Sequence, residues 1–132
     1  MTYSISVVIF IFLLHWVADF VCQPYWMKLG KVRSVRIMLL HVSIYASVLF
    51  LGLILVVGVE KAFLFSLVNG ILHLGVDLVS CRAITKATEE IRLSSDKEQP
   101  LHERVDPYGV VTLLGLDQLM HKACLLASLP LI

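Results

Sequence analysis

Two stretches of this chain repeat polar residues four apart inside apolar sequence. One holds His15, Asp19 and Gln23, and the other holds Asn69, His73 and Asp77. Residues at that spacing stack on one face of an α-helix. A later stretch holds Asp117, Gln118 and His121 with Lys122 beside them, and another holds His41 alone. Imidazole nitrogen and carboxylate oxygen are the donors that helical bundles offer to zinc, manganese or iron, each helix contributing from one face. A divalent metal ion is therefore the expected cofactor, with His15, Asp19, His73, Asp77, Asp117 and His121 as its expected ligands. Asp117 and Asp19 are the candidates for catalysis. Gln23, His41, Asn69, Gln118 and Lys122 are expected to support those ligands or to touch substrate, with Gln118 and Lys122 suited to an anionic group such as phosphate. A divalent cation supplies Lewis acidity and a water acidic enough to serve as nucleophile, which points to hydrolysis.

The plainer alternative is a buried hydrogen-bond network that only fixes helix packing. His41 or Asn69 taken alone reads that way; the whole set does not. An aspartate near the middle of a membrane span costs about 2.5–3.5 kcal/mol on insertion scales. Three aspartates and a lysine left unpaired would cost on the order of 10 kcal/mol, comparable to the stability of a whole domain. Such groups must face one another or bind something.

The elements that position these residues follow from composition. The 132 residues are 58% hydrophobic and 16% charged, with a mean hydropathy of +0.87. The apolar residues come in blocks long enough to cross a bilayer, which takes about 20 residues. The expected fold is all-α: a single integral-membrane four-helix bundle with spans at about 3–23, 37–59, 62–80 and 108–131. The first apolar run is read as a retained span, since no Lys or Arg precedes it and no small-x-small cleavage pattern follows it. The longer loops, about 24–36 and 81–107, carry nine Lys and Arg against Lys61 on the opposite side. That bias places both loops in the cytoplasm and both termini outside, consistent with a bacterial inner membrane. Tyr25 and Trp26 suit an interfacial belt. Within the second loop, 83–93 reads as an extension of the third span or a helix on the membrane surface, 94–100 as a polar turn, and His102 as solvated.

Counted at about 1.5 Å per residue, the polar stripes reach one depth in the inner half of the bilayer. Leu14-His15-x-x-x-Asp19 echoes Leu72-His73-x-x-x-Asp77, a single short match that is compatible with a parallel duplication of a two-helix unit and does not establish one. Cys22, Cys81 and Cys124 match neither a disulfide framework nor a CxxC spacing and read as buried thiols. A net charge of +1 gives no pull toward nucleic acid.

The segments HWVADFVCQ (15–23), LLHVSIYA (39–46), NGILHLGVD (69–77) and LLGLDQLMH (113–121) together resemble the DUF3307 family of small bacterial and phage-associated membrane proteins. The resemblance spans nearly the whole chain and groups His15, Asp19, Gln23, His41, His73, Asp77, Asp117, Gln118 and His121. A looser similarity is to predicted membrane-bound metal-dependent hydrolases. The leading expectation is a metal-dependent membrane hydrolase acting on a phosphoester or lipid-like substrate reached from the cytoplasmic leaflet. Expected partners are membrane lipids, a small anionic or lipid substrate and a second copy of the chain. The alternatives are a proton or metal-ion transporter, a bis-histidine haem protein using pairs among His15, His41, His73 and His121, and a non-catalytic membrane modulator.

Overall fold

Apolar sequence without interior proline gives long helices. The structure, a computed structural model, describes residues 4–94 and 107–132, and for 90–94, 107, 108 and 110 the backbone alone. Most of the polar turn at 94–100, and His102, fall outside the described residues. Helix α1 spans Ile5–Trp16 and passes into a π-helical turn, Val17–Val21; α2 spans Tyr25–Lys31, α3 Val35–Val57, α4 Val59–Ser94 and α5 Pro107–Ser128, with a closing 3₁₀ turn at Leu129–Leu131. Every described element is helical.

Three local features shape the fold. Pro24 has no N–H to continue the first helix and biases the residue before it toward extended backbone. It stands extended (φ −64°, ψ 160°) ahead of α2, and the chain turns 89° between 5–21 and 25–31. The loop expected at 24–36 therefore contains a helix that lies against the start of α3. Between α3 and α4 the turn falls on Gly58 alone (φ 86°, ψ 163°), a conformation essentially reserved for glycine. Finally, α4 runs unbroken for 36 residues, about 54 Å, so residues 83–93 continue that helix rather than forming a separate one. The two L-H-x-x-x-D segments consequently sit in different surroundings, one at a π turn and a bend, the other in a continuous helix.

Helix α3 packs along α4, α4 along α5, and α1 against both α3 and α5. At one end of this assembly Ile11, Leu49, Leu53, Phe65 and Leu125 form a buried apolar cluster. Elsewhere the usual distribution is inverted. The buried set includes His15, Asp19, Gln23, His41, Asn69, His73, Asp77 and His121, while Ile5, Leu51, Leu55, Phe63, Ile71 and Val79 face outward. Polar inside and apolar outside is the distribution of a chain solvated by lipid. Val35–Val57 and Val59–Glu89 are each long and apolar enough to cross a membrane, and the bent pair 5–21 plus 25–31 makes a third if it is one broken span. These helices indicate membrane association.

Candidate metal centre

The inward face of α4 sets the axis of the site. Ser66, Asn69, His73 and Asp77 follow one another at helical spacing and all are buried. Helix α3 brings His41 and Tyr45 opposite them. The π turn contributes Asp19, α5 contributes Asp117, Gln118 and His121, and the bend at Pro24 folds α2 back so that Lys31 reaches Asp77. A π turn winds wider than an α turn and recurs at functional sites; here it carries Asp19 into the cluster.

Four donor atoms crowd together. Asp19 Oδ1 lies 3.2 Å from His41 Nε2 and 3.7 Å from His73 Nε2. Asp77 Oδ2 lies 3.5 Å from each of the same two nitrogens. The two Nε2 atoms are 2.9 Å apart. Ligands at 2.0–2.1 Å around a tetrahedral zinc stand about 3.3 Å from one another; Asp19, His41 and His73 offer donor atoms that all lie within 4.8 Å of one another, and His73, Asp77 and His121 form a second such triad. His41 and His73 are almost fully buried, and two imidazole nitrogens this close need either one proton or one cation between them.

His121 extends the donor set. Its Nδ1 donates to the Asp117 carbonyl oxygen at 3.0 Å, which only accepts, so in the neutral ring the lone pair sits on Nε2. Among the described residues that buried Nε2 has no hydrogen-bond partner, and it faces Asp77 Oδ1, another acceptor, at 4.0 Å. Asp117 Oδ1 and His73 Nδ1 are likewise buried and unpartnered. Buried polar atoms without partners are costly, and acceptors facing one another call for a cation. Charge agrees: three carboxylates, Asp19, Asp77 and Asp117, against one ammonium, Lys31, leave two negative charges with the histidines neutral. The donor types, spacings, unpartnered atoms and charge fit a divalent ion in the triad of Asp19, His41 and His73, with Asp77 and His121 beside it around the shared His73.

The remaining expected residues surround this centre. His15 stands apart from the four donors: its Nδ1 is 3.3 Å from the Tyr45 hydroxyl and its Nε2 3.3 Å from Gln118 Oε1. Gln118 Nε2 donates to Asp19 Oδ2 at 3.0 Å and to Asp117 Oδ2 at 3.2 Å, tying π turn to α5. With its amide oxygen turned inward, Gln23 accepts from Lys31 Nζ at 3.2 Å and its nitrogen donates to the Asp19 carbonyl. Asn69 donates to Ser128 Oγ at 2.8 Å, a helix-packing contact one turn from His73. Lys122 is exposed, at the rim of a cleft with His15, Trp16 and Gln118.

Two site residues escape a reading of the sequence. Lys31 Nζ donates to Asp77 Oδ2 and Oδ1 at 2.9 and 3.0 Å. Burial works against its charge, but the Asp77 carboxylate outweighs that and raises its pKa above the ordinary lysine value. No sequence pattern marks Lys31 out from the other loop cations; only the bend at Pro24 aims it inward. Tyr45 stacks on His73 with ring centroids 3.9 Å apart, and its spacing of four from His41 was the available signal. A cavity of about 330 Å³ lined by Asp19, Gln23, Lys28, Lys31, Asp117 and Gln118 opens the centre to one side.

No curated protein and no solved structure matches the chain. A family model described as a protein of unknown function, DUF3307, matches residues 7–131, nearly the whole length. The chain belongs to the DUF3307 family.

Proposed function

We propose that this protein is a metal-dependent hydrolase embedded in a membrane as a four-span bundle, both termini outside and the site open to the cytoplasmic side. The observation that carries the reading is the convergence of Asp19, His41 and His73 from three separate helical segments at the spacings of a metal's ligands, with Asp77 and His121 grouped around the same His73. When bound, a divalent cation supplies Lewis acidity and a water of lowered pKa. The chain's own residues supply the rest. The unpartnered Nε2 of His121 is a lone pair available to take a proton beside the centre. Gln118 orients Asp19 and Asp117 by donating to both, and Lys28 and Lys31 line the cavity where an anionic ester would sit. A transport path is the weaker reading, because the polar run on α4 ends at Ser66 beneath buried Ile11, Leu49, Leu53, Phe65 and Leu125.

Metal analysis of the purified chain after loading with zinc or manganese tests the proposal. Bound metal should be lost in His41→Ala and in His73→Ala, and weakened by about 10–100-fold, the usual effect of an outer-shell change, in His15→Ala. Absence of bound metal after loading, or full retention in His73→Ala, overturns it.

A further inference from the structure

Beside the cavity that opens the centre runs a second hollow of different character. It lies between α4 and α5, encloses about 520 Å³, and is walled by Ile71, Val76, Val79, Leu113, Leu116 and Met120 among others. From Ile71 to Ile84 it follows α4 for about 20 Å, against about 15 Å for one leaflet of a hydrocarbon core about 30 Å thick. Its polar end is not closed: Asp117 and Ile84 line both this groove and the lysine-bearing cavity. Among the described residues nothing stands within 4 Å of where a Cβ on Gly75 would point, so these residues leave the groove open in its middle.

We infer that the substrate is an anionic lipid, its phosphate in the cavity between Lys28 and Lys31 and one acyl chain in the groove between α4 and α5. The inference rests on the metal-centre reading, in which a cation neutralises Asp19 and Asp77 and leaves the lysines to attract an anion. Continuity decides the occupant. A soluble phosphoester would fill the cavity and leave the groove without purpose, and a neutral lipid would fill the groove and leave Lys28 with no anion, only the Phe20 ring 5.4 Å from its Nζ. An amphiphile of one leaflet's depth fills both.

The test uses the purified, manganese-loaded full chain in mixed micelles. Its probes are a phosphatidic acid bearing a diazirine in its acyl chain and a diacylglycerol with the same chain. On irradiation, phosphatidic acid should label peptides from 71–84 and 113–124 at least about tenfold more than diacylglycerol, a difference of about 1.4 kcal/mol in capture. Gly75→Leu, which fills the open groove, should cut that labelling by about fivefold or more; Val79→Trp blocks the same groove should the first variant fold poorly. Lys28→Gln should bring phosphatidic acid down to the diacylglycerol level. Equal labelling by the two lipids, labelling indifferent to both groove variants, or labelling abolished by inorganic phosphate overturns the inference. Metal content measured on the same samples separates the two ideas. Metal bound without lipid capture sinks this inference alone, and lipid capture without metal sinks the hydrolase alone.

Discussion

Replacing Lys31 by methionine should destabilise the protein by about 3 kcal/mol. The ammonium donates to both Asp77 oxygens, at 2.9 and 3.0 Å, and the side chains of the pair are 14% and 3% exposed. Removing one partner of a buried ion pair costs about 3–5 kcal/mol, because the other charge is left uncompensated. The residual exposure of Lys31, and the two imidazoles that still face Asp77, place this case at the low end. For a chain of this size, 3 kcal/mol corresponds to a fall of about 10 °C in the unfolding midpoint. Thermal unfolding in detergent, followed by tryptophan fluorescence, reads it, since Trp26 is carried on α2, the same helix as Lys31. Asp77→Asn alone and with Lys31→Met completes a cycle, and the two should couple by about 2 kcal/mol. A bound divalent cation also balances Asp77, so metal should shrink the Lys31→Met deficit by about half. A midpoint shift under about 3 °C, or additive single effects, would refute the reasoning.

Other predictions concern the surroundings of this pair. The Lys31 pKa is raised in the folded chain, so its contribution is fully present below the unfolded value of about 10.4 and is lost only as pH climbs through the higher folded value. The gap between wild type and Lys31→Met should therefore stay flat from neutral pH to about 10 in pH-resolved melts and close above it; a gap closing near pH 8 would count against the pair. Tyr45→Phe removes the hydroxyl 3.3 Å from His15 but keeps the ring stacked on His73. It should cost about 1 kcal/mol with metal stoichiometry unchanged, both measurable on one preparation. Gly52→Ala would set a Cβ 2.5 Å from Leu14 Cδ2, prying α1 from α3 for about 1–3 kcal/mol; an unchanged melting curve would show that Leu14 swings away freely.

The all-helical class and the inward polar stripes were legible because spacing and burial cost act within one helix. Residues four apart on α4, from Asn69 to Asp77, face inward together for the reason the periodicity gives. What the sequence hid depends on how helices are aimed. His41 is a single polar residue in an apolar span, which reads as packing, yet the α3–α4 hairpin at Gly58 sets it against His73. His15 and His73 look equivalent by motif, but the π turn after His15 leaves it with Tyr45 and Gln118 while Asp19 goes on to the donor cluster. Lys31 was one positive charge among several in a loop that counted toward orientation. Proline reads as a stop, and the 89° turn that follows Pro24 is set by where α2 finds apolar surface on α3.

The apolar cluster of Ile11, Leu49, Leu53, Phe65 and Leu125 also has an electrical consequence. Across a bilayer the voltage drops where the dielectric is low, and a wet vestibule carries little of it. In this chain the drop would fall on that cluster and not on the route past Lys28 to Asp77. A full crossing at 100 mV is worth about 2.3 kcal/mol per charge, and a chamber closed at one end collects almost none of that. Were the proposed ion to load here, it would follow the supply on the open side and stay indifferent to the membrane potential.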